Sequence, residues 1–337
     1  MRTWTTPLMI GSVAVDSRVM LAPMAGVTDV VFRALVRRWA PQSLICTEMI
    51  SSNGLVYSKR WDAPILDRSG EDRPIAYQLA AHRPQVLLEA AQRIIELHQP
   101  ETIDLNMGCP VKKITGNFEG CALMKEPDTA RHLIETLVKA IDRPVTVKFR
   151  LGWDCQSMNY LEFGKMCQDA GAQMVCLHAR TRSQGYQPGC KWEAYGELKQ
   201  ALSIPVIANG DISTLEDART VMETYGVDGV MIGRGCLGEP WMIGAIDHYL
   251  KTGERQPMPD VAQRLAIAYE HCQHYAAYKG EAVAMREMRK SLPWYVKGFV
   301  GASQYRSQLT KVSTLAEVAG LFEEIVAQSA PLMPMAV

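Results

Sequence analysis

The chain has 337 residues, 47% hydrophobic and 21% charged; this ordinary globular mixture excludes a disordered or fibrous polymer, and the length exceeds what one core usually fills, so a large domain with a smaller appendage is expected. Its 36 Lys and Arg are cancelled by 36 Asp and Glu, so a polyanionic partner would have to be met by a local basic patch rather than by the overall field. Nine cysteines with no C-x-x-C pair argue against a zinc ribbon or disulfide framework, and every apolar run falls short of the ~20 residues that span a bilayer, so a reduced cytoplasmic protein without membrane contact is expected.

Taken in chain order, residues 7–16 read as a hairpin that plugs the N-terminal end of a barrel. Eight short runs rich in Val, Ile and Leu then recur at 19–22, 44–47, 75–79, 102–105, 145–149, 174–178, 206–208 and 229–232, as expected for parallel strands buried on both faces. Three of these runs follow a proline, at Pro74, Pro144 and Pro205, where the missing N–H costs little because the ladder has not begun. Most intervals between runs carry helical periodicity. In 84–98, Val86, Leu87, Ala90, Ala91, Ile94, Ile95 and Leu97 trace one apolar face. Pro127-Asp128 marks a helix start, and Ser213 and Thr214 can cap the segment holding Ala218, Val221 and Met222.

Strict βα alternation through eight units predicts an α/β fold, a (β/α)8 TIM barrel over residues 1–250, with a doubly wound open sheet as the alternative. The alternation stops after Tyr249. Residues 251–259 read as a turn-rich linker, and 260–337 as a C-terminal helical-bundle domain with amphipathic helices at 261–278, 281–290 and 315–328.

Barrel active sites lie at the C-terminal ends of the strands, and the residues this chain sets there are polar. They are Pro23, Met24 and Ala25 after the first run, Gln78 in the third, Asn106 and Cys109 after the fourth, Lys148 and Arg150 in the fifth, His178 and Arg180 after the sixth, Asn209-Gly210-Asp211 after the seventh and Gly233-Arg234 after the eighth. The last two turns suit a phosphate, because glycine lets main-chain N–H groups approach an anion and a guanidinium can grip two of its oxygens; the plainer alternative is tight turns beside a solvated Arg234. Lys148 and Arg150 alternate on one face and point inward, where an unpaired cation would be costly. An electron-rich partner such as a flavin, or an internal ion pair with Glu48, would answer that cost. FMN is the phosphorylated cofactor expected. Cys109, between Gly108 and Pro110 in a loop, is a candidate general acid, whereas the other eight cysteines read as small buried hydrophobes. His178 is either a ligand or a structural hydrogen-bonding group. No His or carboxylate spacing suggests a metal, and none is expected.

In order, the strings LAPMAGVTD, YQLA, DLNMGCPVKK, VTVKFRLGW, LHART, PVIANGDI and VMIGRG resemble tRNA-dihydrouridine synthases, most closely the bacterial DusB-like branch, over essentially the whole chain. The resemblance implies FMN contacts at Pro23, Met24, Ala25, Gln78, Lys148, His178, Asn209, Gly210, Asp211, Gly233 and Arg234. It also implies that NADPH reduces FMN, that a hydride passes to C6 of a tRNA uridine while Cys109 protonates C5, and that Asn106 and Arg150 orient the base; Arg180 joins them as a substrate-side candidate. Candidate RNA contacts are Lys112, Lys113, Arg286, Arg289, Lys290 and Lys297, and the protein is expected to act as a monomer. One string departs from the family pattern: Arg289-Lys290-Ser291-Leu292-Pro293-Trp294-Tyr295, where Pro293 is expected to break the tail helix. An FMN barrel acting on a small molecule, as in dihydroorotate dehydrogenase-like proteins, and a flavin-free RNA-binding barrel are the competing readings.

Overall fold

A computed structural model describes residues 3–298 and 301–329. Among the described residues there are ten strands: β1 (Leu8–Ile10), β2 (Val13–Val15), β3 (Val19–Leu21), β4 (Ile45–Ser51), β5 (Ile75–Ala80), β6 (Thr102–Met107), β7 (Val145–Arg150), β8 (Met174–His178), β9 (Val206–Asn209) and β10 (Gly229–Ile232). The last eight close into a barrel in sequential order, with β10 paired to β3, and every pair in it is parallel. An open sheet is thereby excluded.

The expected plug is there. β1 and β2 pair antiparallel, and Leu8, Ile10 and Val15 join Met20, Leu44, Cys46, Ala76, Met174, Cys176, Ile207 and Met231 in one buried apolar cluster. The barrel is therefore filled from its N-terminal end by hydrocarbon and sulfur, and its polar inward residues gather toward the opposite end.

The flanking helices start where the local chemistry favours it. Pro84 and Pro127 occupy first-turn positions of the helices Pro84–His98 and Pro127–Ala140, where their missing N–H has no partner to lose. Thr214 caps Leu215–Tyr225 in a reciprocal box with Asp217. Five predicted strands stopped short: β4, β5, β6, β7 and β9 run on, four of them through a polar residue, Glu48, Asn106, Arg150 and Asn209. A reading that ends a strand at its first polar residue fails where the strand enters a polar site. β4 also carries an irregularity between Cys46 and Met49.

The chain divides into two compact units, residues 1–235 with 241–255 and residues 236–240 with 256–337. The short stretch after β10 thus belongs to the helical unit, which the linear division at 251–259 did not anticipate. In that unit lie Val261–Lys279, Glu281–Met288, Leu292–Tyr295, Ala302–Leu309 and Leu315–Ser329. Two of these, at 292 and 302, were not predicted. Pro293 does not interrupt a helix interior: the preceding helix ends at Met288, and Pro293 stands in the first turn of the next, where its fixed φ is favourable. Among the described residues no helix is long and apolar enough to cross a membrane.

Candidate active site

Side-chain alternation along the strands delivers Gln78, Asn106, Lys148, Arg150, His178 and Asn209 to the C-terminal end of the barrel, all of them buried. Register sets them side by side: Asn106 opposite Lys148, Arg150 opposite His178, and His178 opposite Asn209. The sequence motifs therefore converge on one mouth.

Lys148 Nζ donates to Asn209 Oδ1 at 2.8 Å, and Asn209 Nδ2 in turn donates to the Met231 carbonyl at 2.8 Å. The partner that Lys148 takes is thus the Asn209 amide and not the Glu48 carboxylate. Burial pushes the Lys148 amine below the ordinary lysine range. A cation held by a neutral amide in a dry site is incompletely compensated, which is the condition that an anionic or electron-rich ligand relieves.

Burial, and then the cations Lys148, Arg150, Arg180 and Arg234, push the His178 imidazole well below its usual value. The ring is neutral. Arg180 Nη1 lies 3.2 Å from His178 Nε2, and because a guanidinium only donates, Nε2 accepts and Nδ1 carries the hydrogen. His178 can thus offer a ligand one N–H.

The turn ending β9 has a backbone that only glycine can take. Gly210 has φ +117°, and a Cβ there would fall 2.5 Å from Cys190 Sγ and 2.8 Å from His178 Cδ2. Only glycine fits. Asp211 follows in the left-handed region at φ +55°. Its carboxylate receives both Nη2 hydrogen bonds of Arg180, at 2.7 and 2.6 Å, and lies 3.7 Å from Arg234. Burial alone would raise this carboxyl, but Arg180 and the Cys190 N–H outweigh it and hold it below the usual carboxylate range. Its side chain braces the cations Arg180 and Arg234. Arg234 is more than half exposed and sits beside Gly233.

Arg150 and Arg180 are each 1% exposed and turn mostly to the protein. Arg150 donates to the carbonyls of Gly108 (2.7 Å), Thr181 (3.0 Å) and Gly185 (2.7 Å). Arg180 donates to the Gln187 carbonyl (2.6 Å) as well as to His178 and Asp211. Arg180 thus acts as a brace for His178 and Asp211, and Arg150 ties the Cys109 loop to the loop after β8.

Cys109 is half-buried on the loop leaving β6. Its N–H donates to Asn106 Oδ1 at 2.9 Å, and its carbonyl accepts from Cys121 N at 3.1 Å. Gly120, at φ +62°, passes so close that a Cβ would sit 2.9 Å from that carbonyl and 3.1 Å from Cys109 Cβ. Burial raises the thiol above its ordinary value, against weaker opposing pulls from the Val111 N–H, Arg150 and Lys148. At neutral pH this sulfur is a proton carrier and not a thiolate. The other buried cysteines are raised by burial too, consistent with inert packing. Cys155 is exposed, and Cys190 is half-buried beside the Gly210 turn, so these two depart from the buried reading.

Sequence reasoning missed three residues here. Asp104, two positions before Asn106 and on the same face, accepts from Gln78 Nε2 at 2.7 Å and from Thr146 Oγ1; the period of two could have found it. Tyr186, 54% exposed, lies with the Arg150 guanidinium 5.4 Å and the Arg234 guanidinium 5.2 Å from its ring centre; only its flanking glycines hinted at a shaped loop. Trp153 carries Lys125 at 4.7 Å and Arg182 at 4.4 Å on its ring, a pattern that no local spacing announces.

A barrel with this mouth is of the kind that holds an anionic cofactor beside a proton donor, and comparison with known proteins is specific. Residues 20–330 match the family model described as Dihydrouridine synthase (Dus), and the chain belongs to that family. It is 45% identical over 96% of its length, and 90% of the relative's, to the probable tRNA-dihydrouridine synthase 1 of Synechocystis sp.. Against the tRNA-dihydrouridine synthase B of Pseudomonas aeruginosa identity is 40%, covering 90% of this chain and 91% of the relative. Among solved structures, histamine dehydrogenase from Rhizobium sp. 4-9 shares the barrel fold at a TM-score of 0.55 and 13% identity, over 80% of this chain and 50% of that one.

Proposed function

We propose that this protein is a flavin-dependent tRNA-dihydrouridine synthase, with FMN as its cofactor, NADPH as the electron donor and a uridine of tRNA as the substrate. The observation that carries the reading is the half-buried, protonated Cys109 thiol on the loop leaving β6, at the end of the barrel where Lys148, His178 and two glycine turns answer the needs of an anionic ring system. Support comes also from the family and from the names of its members. The FMN-holding residues would be Pro23, Met24, Ala25, Gln78, Lys148, His178, Asn209, Gly210, Asp211, Gly233 and Arg234. FMN, when bound and reduced, supplies a hydride for C6 of the uracil ring.

The protein's own share is positioning and proton delivery. Cys109 gives its proton to C5. Arg150 stabilises negative charge as it grows on the uracil carbonyls, while Lys148 answers the charge of the reduced flavin. Asn106 holds the Cys109 loop, and Arg180 braces His178 and Asp211. The uridine has to leave its stack, at a cost of a few kcal/mol, and Tyr186 offers an exposed aromatic face flanked by cations that helps to offset it. Lys112 and Lys113 are exposed on the short helix Lys112–Thr115 that follows the Cys109 loop, and Arg286 and Lys290 are exposed in the helical unit; these four are the stronger RNA candidates. Arg289 is tied to Val312 and Ser313, and Lys297 to Glu239, so those two serve the helical unit itself.

Cys109→Ala tests the reading. Dihydrouridine formation in unmodified tRNA falls by about 10²- to 10⁴-fold, the usual loss for a general acid, while reduction of bound flavin by NADPH continues at close to the wild-type rate. Loss of flavin reduction itself would show that Cys109 has another role.

A further inference from the structure

Four side chains at the barrel mouth form a directed chain of hydrogen bonds that ends on the Cys109 loop. Thr146 Oγ1 donates to Asp104 Oδ1, and Gln78 Nε2 donates to Asp104 Oδ2 at 2.7 Å. Asn106 Nδ2 donates to Gln78 Oε1 at 2.8 Å. The main-chain N–H groups of Cys109 and Gly108 donate to Asn106 Oδ1 at 2.9 and 3.3 Å. Asp104, Gln78, Asn106 and Thr146 are all buried, so solvent cannot replace a lost partner and each broken link is costly.

An amide side chain can enter such a chain in either of two orientations. Its ends decide which. A main-chain N–H can only donate, and an ionised carboxylate can only accept; with one of each at opposite ends, Gln78 and Asn106 are left a single arrangement that satisfies every link. On balance burial raises the Asp104 carboxyl, against smaller opposing pulls from the Thr146 and Gln78 donors and from Lys148; the direction of the relay is fixed from the other end by the main-chain N–H groups, which only donate.

We infer that Asp104 is a positioning residue for proton delivery: as the acceptor terminus of this relay it orients the Gln78 and Asn106 amides and so holds the Cys109 loop in place. The inference rests on the proposed role of Cys109 for its functional meaning, but its geometry stands apart from it. Asp104 does not touch the reacting atoms.

The test moves the acceptor terminus by one link. In Gln78→Glu two carboxylates meet at the Asp104 contact, so the relay is broken. In the double variant Asp104→Asn with Gln78→Glu, the amide introduced at position 104 donates to the carboxylate introduced at position 78. That carboxylate also accepts from Asn106, so the direction toward Cys109 is restored with the original net charge. The readout is the rate of Cys109 alkylation by iodoacetamide at fixed pH, measured on the full chain as purified by mass spectrometry of the Cys109 peptide, with Cys155 as the internal reference. Gln78→Glu is expected to release the loop and raise that rate by about three- to tenfold over wild type, and the double variant to return it to within about twofold. If Gln78→Glu alone does not fold, recovery of a folded double variant with the wild-type Cys109 rate reports the same rescue. An unchanged rate in Gln78→Glu, or a double variant that fails to fold or stays as reactive as the single one, overturns the inference. Dihydrouridine formation is assayed in parallel. If wild-type protein reduces no tRNA while the alkylation pattern holds, the functional reading falls and the relay stands; if tRNA is reduced and the alkylation pattern is absent, the relay falls alone.

Discussion

At the scale of single residues, the site depends on groups whose ordinary chemistry is shifted by burial. Cys109 is raised chiefly by loss of solvent, so its donor form persists to higher pH than a free thiol would allow. Dihydrouridine formation by wild-type enzyme should therefore stay level through the pH range where free cysteine ionises, and decline only as pH climbs through the raised value. A pH profile that already falls near the free-thiol value of about 8.5 would contradict this. Gly210 is the second sensitive position. Gly210→Ala places a Cβ against Cys190 and His178 at a φ of +117°, and we expect a loss of about 1–3 kcal/mol of stability from strain of this kind, with weaker flavin retention because His178 is pushed aside. Urea unfolding and the flavin absorbance of the purified variant measure the two effects separately.

At the scale of elements, two buried polar contacts show how the pieces are held. Arg33, on the helix Val30–Arg37, and its neighbour Arg37 reach Asp72 at 2.7 and 3.3 Å, with Asp72 fully buried. Asp72→Ala strands two buried cations and should cost about 3–5 kcal/mol, the usual penalty for breaking such a group from one side, visible as a lower urea midpoint. In the helical unit, His271 on Val261–Lys279 meets the Tyr295 hydroxyl at 3.0 Å, and burial, with a smaller push from His274, lowers its pKa from 6.5 to about 4. Between those values the unfolded chain binds a proton that the folded chain does not, so this contribution to stability is present above about pH 6.5 and is lost as pH falls toward 4. The loss amounts to about 3 kcal/mol. Denaturant titrations from about pH 7 down to about pH 4 should show a shallower decline in His271→Gln than in wild type; identical slopes would mean that His271 is not the proton acceptor.

At the scale of the whole molecule, a net charge of zero means that any grip on RNA comes from local cations such as Lys112, Lys113, Arg286 and Lys290. If these meet phosphates, the logarithm of tRNA affinity falls linearly with the logarithm of salt concentration, by a little under one unit per phosphate neutralised, and each Lys→Gln replacement reduces that slope by about one. A flat salt response in a binding titration would remove tRNA as the partner.

Sequence alone decided the barrel, since eight apolar runs alternating with amphipathic helices have one common closed solution. It also decided which residues gather at the mouth, because a period of two sends Asn106, Lys148, Arg150 and His178 inward whatever the details. It did not decide what each would do there. Arg180 and Arg289 read as ligand cations but are turned to protein acceptors; Asp104 did not read as a site residue yet ends the chain of bonds that leads to Cys109. The reason is physical: residue type and spacing set the face a side chain takes, whereas its hydrogen-bond partner lies on another strand tens of residues away and is chosen by inter-strand register and barrel closure, which exist only in the folded molecule.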